Sequence, residues 1–369
     1  MKQKIKLIFF HPYSLGGGSD NSLYRLISHL DKRIYDIDFV SINNSVLKEK
    51  TYNVNFIKLN ATRTLFSIFE LRNLIKKNFF YKKIILISNQ NFANIISIFS
   101  IIGLASIKLI IIDRNHLDEL KFYKNKLGLI KNKIIFILMK IFYKRANLCI
   151  GISKKLSKDL SKIIKCSVKT VYSPSYDKSI IKQAKIKNIK IKNLKKFIIC
   201  VSRFSKRKGH ETLIRAYSML KNKKNYKLVL VGFGNEEENI KKMIKESNIQ
   251  KDVIIINNLH NPFWLLKKAS LSVVTSLYEG FPNVIVESLT LGTPVISTNM
   301  NAGASEILSN GKGGDLIKVG DYINLSKKIQ DFINNPAILK QKLIFARKNL
   351  HRFDINTHTE IYNKIFKYV

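Results

Sequence analysis

Cysteine is scarce, with 3 in 369 residues. Cys149, Cys166 and Cys200 are scattered and odd in number. Their spacing matches neither a zinc site nor a disulfide framework, and a reducing cytoplasm suits them. Acidic residues are also few, 25 Asp+Glu against 65 Lys+Arg, for a formal charge of +40. Such a balance favours an anionic partner: nucleic acid, an acidic membrane surface or a phosphorylated substrate. Lys, Ile and Asn are abundant together, however, as an AT-rich genome produces without selection for binding. No basic stripe interleaved with aromatics and no nucleic-acid module is present, so nucleic acid is set aside. A cleavable signal is missing too. The apolar run in MKQKIKLIFFHPYSLGGG is short and gives way to glycines with no small-residue cleavage site. No P-loop, nucleophile elbow or H-E-x-x-H occurs, and no G-x-G-x-x-G supports a nicotinamide site.

What is present is enough apolar material for two cores. Hydrophobic residues make up 46% of the chain, and domains of about 100–200 residues make two the default. The stretch IISIFSIIGLASIKLIII at 95–112 is nearly long enough to span a bilayer. It reads better as a buried helix, a turn near Gly103–Ser106 and a buried parallel strand over 107–112, because Lys108 interrupts it. Strands are predicted at 5–10, 37–42, 83–88, 107–112 and 148–152, with helical material between them, the first helix starting near Asn21 under a Ser19 or Asp20 cap. The Lys-rich stretch 178–196 reads as a linker. The pattern then restarts with strands at 197–202, 226–231, 253–256, 271–275 and 295–297. Alternating strands and helices predict two α/β Rossmann-like domains with a ligand cleft between them. The boundaries are 1–175, a linker over 176–196, 197–345, and a helical segment over 346–369.

Four places can carry chemistry. In YEGFPNVIVESLTLGTP, Glu279 follows a strand, Pro282 and Asn283 open a helix, and Glu287 lies one turn in. Free amides at that helix start suit phosphate. Glu279 is expected to face a sugar hydroxyl and Glu287 a ribose, whereas isolated glutamates would read as solvated. In VSRFSKRKGH, Arg203 and Lys208 can neutralise a departing diphosphate, while Lys206 and Arg207 read as solvated. Gly16-Gly17-Gly18 follows the first strand and allows close backbone approach to a ligand. The later GFGN at 232–235 reads as a tight turn. DRNH at 113–116 offers Arg114 or His116 to a reacting sugar or acceptor hydroxyl, against a structural role for a lone His. Asp36-Ile37-Asp38 has the D-x-D form of a metal site but opens a strand with no further carboxylates nearby. It reads as chance, and no metal or other cofactor is expected.

Together these residues resemble glycosyltransferase family 4, most strongly over 197–320. EGFPNVIVE is similar to the family's E-x7-E element, RFSKRKG to its diphosphate-binding Arg and Lys, and TPVISTNMNAGASEIL to the segment that follows, with Gly303 and Glu306. GGGS, FYKRANLCIGIS and YSP resemble its N-terminal half and crossing. HNPFWLLKKASLSVVTSLYEGFPN is similar to members that build bacterial surface polysaccharides. The resemblance implies a GT-B fold and a retaining, metal-independent transfer from a UDP- or GDP-sugar to a glycan or lipid-linked acceptor. It implies catalytic roles for Glu279, Arg203, Lys208 and one of Arg114 and His116. Gly17, Gly18, Gly280, Phe281, Pro282, Asn283, Val284 and Glu287 would contact the donor. Arg114 takes the place where many members have a catalytic His. Base choice falls to loops near Phe204 and 257–261. The amphipathic stretch 129–145 suggests peripheral contact with anionic membrane, at the cytoplasmic face. A GT-B nucleotide-sugar epimerase, a catalytically inactive scaffold and a non-enzymatic basic anion-binding protein remain as alternatives.

Overall fold

A computed structural model describes every residue except 1–3, 15, 44–52, 122–125, 188–193, 222–224, 258, 260 and 301–302. The chain divides into two compact units, one of Met1–Pro174 with Ile355–Val369 and one of Ser175–Asp354.

The first unit runs β1 (Ile5–Phe10), α1 (Gly18–His29), β2 (Tyr35–Ser41), β3 (Asn55–Lys58), α2 (Ile68–Lys77), β4 (Ile84–Asn89), α3 (Asn91–Ser100), β5 (Ile107–Asp113), α4 (Lys126–Phe142), β6 (Leu148–Gly151), α5 (Lys154–Ile164) and β7 (Lys169–Thr170). Its seven strands are ordered β3-β2-β1-β4-β5-β6-β7, and every pairing is parallel. Leu7, Ile8, Phe9 and Phe10 have no exposed surface, as expected of a central parallel strand covered on both faces. The apolar stretch 95–112 is divided between α3 and β5. Among the described residues no helix is long and apolar enough to cross a membrane.

The second unit runs α6 (Lys178–Gln183), β8 (Phe197–Val201), α7 (His210–Ser218), β9 (Lys227–Val231), α8 (Glu237–Glu246), β10 (Val253–Ile256), α9 (Phe263–Lys268), β11 (Leu271–Val274), α10 (Asn283–Thr290), β12 (Val295–Thr298), α11 (Ala304–Ile307), β13 (Asp315–Ile317), α12 (Tyr322–Asn334) and α13 (Ala337–Lys348). Its sheet is ordered β10-β9-β8-β11-β12-β13. Strand alternation sends successive residues to opposite faces. Ile198 and Cys200 join one core with Leu213, Tyr217 and Leu325. Phe197 and Ile199 join the other with Leu265 and Leu266.

Three local expectations need correction. The first helix begins at Gly18 rather than near Asn21, because Asp20 serves as its third residue and not as its cap. Its carboxylate accepts from the Gly17 N–H at 2.9 Å, the reciprocal half of a capping box. The linker expected over 176–196 contains α6, and Ile180 and Ala184 are buried in the second core. Residues 188–193 of that stretch lie outside those described. The tail expected as one helical segment is split by a turn at Leu350–Phe353, and its last helix, α14 (Ile355–Tyr368), belongs to the first unit. There the fully buried ring of Phe366 stands edge-on to Phe9 at 6.5 Å and to Tyr35 at 5.7 Å.

Candidate active site

In the second unit the strand order reverses between β8 and β11, which are neighbours in the sheet but far apart in sequence. Loops at the carboxyl ends of two such strands diverge and leave a crevice, where open α/β sheets bind ligands. Both sequence motifs arrive there. The loop after β8 carries Arg203 and Lys208, and the loop after β11 carries Glu279. Lys208 Nζ lies 2.5 Å from Glu279 Oε1, and Ser276 Oγ donates to the same oxygen at 2.6 Å. Their side chains are 12% and 13% exposed. Burial would raise the Glu279 pKa, but the Lys208 charge and hydrogen bond, aided by Ser276 and Arg207, hold it below the ordinary value. The pocket is lined by Ser202, Lys208, Thr275, Ser276, Glu279 and Val284, among others. It therefore presents a fixed cation beside a fixed carboxylate.

Glycines make this crevice buildable. Gly209 has φ +61°, and a Cβ there would meet the Thr275 carbonyl at 2.2 Å. The Lys208 loop is tied to the end of β11 by Thr275 Oγ1 donating to Lys208 O at 3.0 Å and by Leu277 N–H donating to Arg207 O at 2.8 Å. The GFGN turn is more than a turn. Phe204 N–H donates to Phe233 O at 2.8 Å, and Glu236 N–H donates to Phe204 O at 3.1 Å. This backing places the Arg203 guanidinium 5.7 Å over the Phe233 ring. A Cβ on Gly232 would come within 1.9 Å of Ser202 O. Gly232→Ala is therefore expected to destabilise the protein by about 1–3 kcal/mol, read as a lower denaturant midpoint. An unchanged midpoint would mean the turn does not need that close approach.

α10 starts just past Glu279. Phe281 and Pro282 are buried, Asn283, Val284 and Glu287 half-buried, and Gly280 is packed beneath the loop that follows β12. Gly303 has φ +81°, and a Cβ there would meet Pro282 Cδ at 2.8 Å and Gly280 O at 3.2 Å. Glycine at 303 thus lets the chain lie over the 280–282 loop. Ser175 Oγ donates to Asn283 Oδ1 at 2.8 Å. Sequence reasoning passed over His210 in RKGH. Its Nε2 lies 3.0 Å from Ser202 Oγ, its ring stands edge-on to the buried Phe204, and burial with the nearby Lys208 charge lowers its pKa to about 4. It is a neutral ring at pH 7 behind the pocket. Of the loop expected to choose the base, residues 258 and 260 lie outside those described.

The first unit reverses strand order between β1 and β4. Gly17 and Gly18 lie beyond β1, Gly17 as the residue preceding α1. His11, also missed from sequence, directly follows that strand and is fully buried, with Nε2 2.6 Å from Asp20 Oδ1. Arg114 is 5% exposed; its Nε donates to Asn89 Oδ1 at 2.9 Å and its Nη1 to Ser22 Oγ at 2.8 Å. His116 is 4% exposed, with Asp118 Oδ2 3.0 Å from Nδ1 and Asp159 Oδ2 3.6 Å from Nε2. Both candidates are held by partners inside this unit. Asp36 and Asp38 flank Lys6 Nζ at 3.2 and 2.8 Å, so the D-x-D pair serves a structural ion pair.

Residues 181–349 match the family described as Glycosyl transferases group 1. The chain is 29% identical over 63% of its length to a Campylobacter jejuni N-acetylgalactosamine-N,N'-diacetylbacillosaminyl-diphospho-undecaprenol 4-alpha-N-acetylgalactosaminyltransferase, covering 62% of that protein. It is 30% identical over 58% of its length to an uncharacterized glycosyltransferase of Methanocaldococcus jannaschii, covering 57% of that protein. Among solved structures, sucrose-phosphate synthase from Thermosynechococcus elongatus superposes with a TM-score of 0.81 at 17% identity, over 99% of this chain and 100% of that one. Anabaena HepE, solved with UDP and glucose, superposes with a TM-score of 0.79 at 18% identity over the same shares. Two parallel sheets, a motif-bearing crevice in the second and these likenesses agree: the chain has the GT-B fold, and its residues 181–349 are similar to the glycosyl transferases of group 1.

Proposed function

We propose that the protein is a retaining, metal-independent glycosyltransferase that moves a hexose from a UDP- or GDP-sugar to a lipid-linked glycan acceptor in surface-polysaccharide synthesis. The observation that carries this reading is the Lys208–Glu279 pair at the strand-order reversal, with Arg203 five residues before Lys208. As the bond between the sugar and the diphosphate breaks, negative charge grows on the leaving oxygens. Arg203 and Lys208 supply the compensating positive charge, and the start of α10 adds its partial charge. Because that charge is met by side chains, the reaction has no need of a metal. Glu279, held ionised, accepts from hydroxyls of the donor sugar, and Glu287 from the ribose. Departure of the diphosphate and attack by the acceptor on one face of the sugar give retention. The N-terminal catalytic role falls to one of Arg114 and His116, both just past the end of β5.

The names of the relatives support the substrate class. The Campylobacter protein is named for an undecaprenol-diphosphate acceptor, and HepE was solved with UDP and glucose. A site at the cytoplasmic face of the membrane follows from an acceptor of that kind.

The test is calorimetric binding of UDP and of GDP, with and without EDTA. Binding of one nucleotide that survives EDTA is expected. Binding that requires a divalent metal would overturn metal independence. Absence of binding by both would remove the donor assignment.

A further inference from the structure

We infer that α4 is a membrane-seating helix that lies in the plane of an anionic bilayer. Leu127, Ile130, Ile134, Ile137 and Ile141 are between 49% and 75% exposed. At 100° per residue these five positions fall within an arc of about 80° along the helix. The opposite side is accounted for: Ile135 and Met139 are buried, and Phe142 packs on Phe99 of α3 at 4.9 Å. The apolar stripe is therefore additional to what the fold uses.

Its borders say what covers it. Lys126, Lys133 and Lys140 recur every seven residues along one edge, all exposed, and Lys131 stands near the other. The helix KLGLIKNKIIFILMKIF contains no acidic residue. Pairing with a second copy about a two-fold axis would bring lysine row against lysine row in a protein of charge +40. Anionic lipid headgroups reverse that sign. Isoleucines then enter the boundary between headgroups and acyl chains, and lysines reach the phosphates. On the other flank of α3, the 3-10 turn before α2 and α2 itself show Phe66 and Phe69, 60% and 75% exposed. They can add a second foothold on the same helical layer.

This deepens the reading of a lipid-linked acceptor, because such a substrate presents its sugar at the bilayer surface, but it is measured separately from transfer. The full chain is mixed, without donor, with phosphatidylcholine vesicles and with vesicles about one-third phosphatidylglycerol, then sedimented at low salt. Wild type is expected to sediment with the anionic vesicles, and Ile134→Glu/Ile137→Glu to lose about tenfold or more of that partitioning. Both positions are exposed, so the melting temperature should not move. Ile134→Asn/Ile137→Asn serves as a second, uncharged variant with the same expected direction. Equal sedimentation of wild type and both variants would overturn the proposal in favour of diffuse charge attraction. Failure of wild type to sediment would overturn it outright, as would a wild-type dimer in gel filtration that the substitutions dissolve. Nucleotide binding by calorimetry is unaffected in every case, so failure here is distinct from failure of the enzymatic reading.

Discussion

Lys208→Ala lowers turnover by roughly two to three orders of magnitude, the usual cost of removing one charge donor from a developing anion. The same substitution also costs stability. Lys208 and Glu279 share a site where their side chains are 12% and 13% exposed. Removing the cation leaves a carboxylate with Ser276 as its remaining side-chain hydrogen-bond partner among the described residues, at a penalty of about 3 kcal/mol. Loss of activity alone would therefore not separate chemistry from folding. Lys208→Ala/Glu279→Gln does, because it removes both charges and leaves a neutral amide that still accepts from Ser276. The double variant should regain most of the denaturant midpoint and none of the turnover. Glu279→Gln alone should weaken transfer more than nucleotide binding. Near-normal turnover in Lys208→Ala would sink the diphosphate assignment. Recovery of turnover in the double variant would make the pair a purely structural one.

The second large effect lies in the first unit and concerns pH. Asp113 ends β5 at 1% exposure. It accepts from Asn94 Nδ2 and Tyr143 Oη, both at 3.3 Å on Oδ1, while Oδ2 has no hydrogen-bond partner among the described residues. Burial raises its pKa from 3.8 to about 7, against the opposing hydrogen bonds of Tyr143 and Asn94. The folded state thus holds this proton more tightly than the unfolded chain does. Stability from this group is highest below the unfolded pKa, falls as pH rises from about 4 to about 7, and is level above that. The fall is on the order of 4 kcal/mol, because each pH unit separating the folded and unfolded values is worth about 1.4 kcal/mol. Asp113→Asn keeps an oxygen for both donors and removes the titration. It should exceed wild type in denaturant midpoint at pH 8 and approach it at pH 5. A gap independent of pH would show that the buried carboxyl does not titrate in this range.

Much of the fold was legible because parallel strands advertise themselves. β5, β8 and β10 fall within a residue of the predicted spans, since each is an apolar run closed by a polar or turn residue. β3, with Asn55 and Lys58 exposed at its ends, and the three-residue β13 gave no such run. The start of α1 was misread because Ser, Asp and Asn in succession all suit a cap, and only the Asp20–Gly17 hydrogen bond decides among them. In the candidate site, Arg203, Lys208 and Glu279 were singled out from short motifs with fixed spacing. The pairing of Lys208 with Glu279 was not legible, since it needs β8 beside β11, a neighbour relation that chain order does not reveal. His116 shows the same limit from the other side. A histidine after a strand reads as available, and what holds it includes Asp159, which lies on another helix.

The return of α14 to the first unit has a consequence for how the protein is made. Phe366, which completes the contacts of Phe9 and Tyr35, leaves the ribosome long after them. Residues 175–354 are synthesised before it and belong to the other unit. At the usual pace of translation that interval lasts on the order of ten seconds or more. For all of it, the nascent first unit carries an uncovered aromatic face, which makes the synthesis of residues 175–354 the stage at which a holding chaperone matters most.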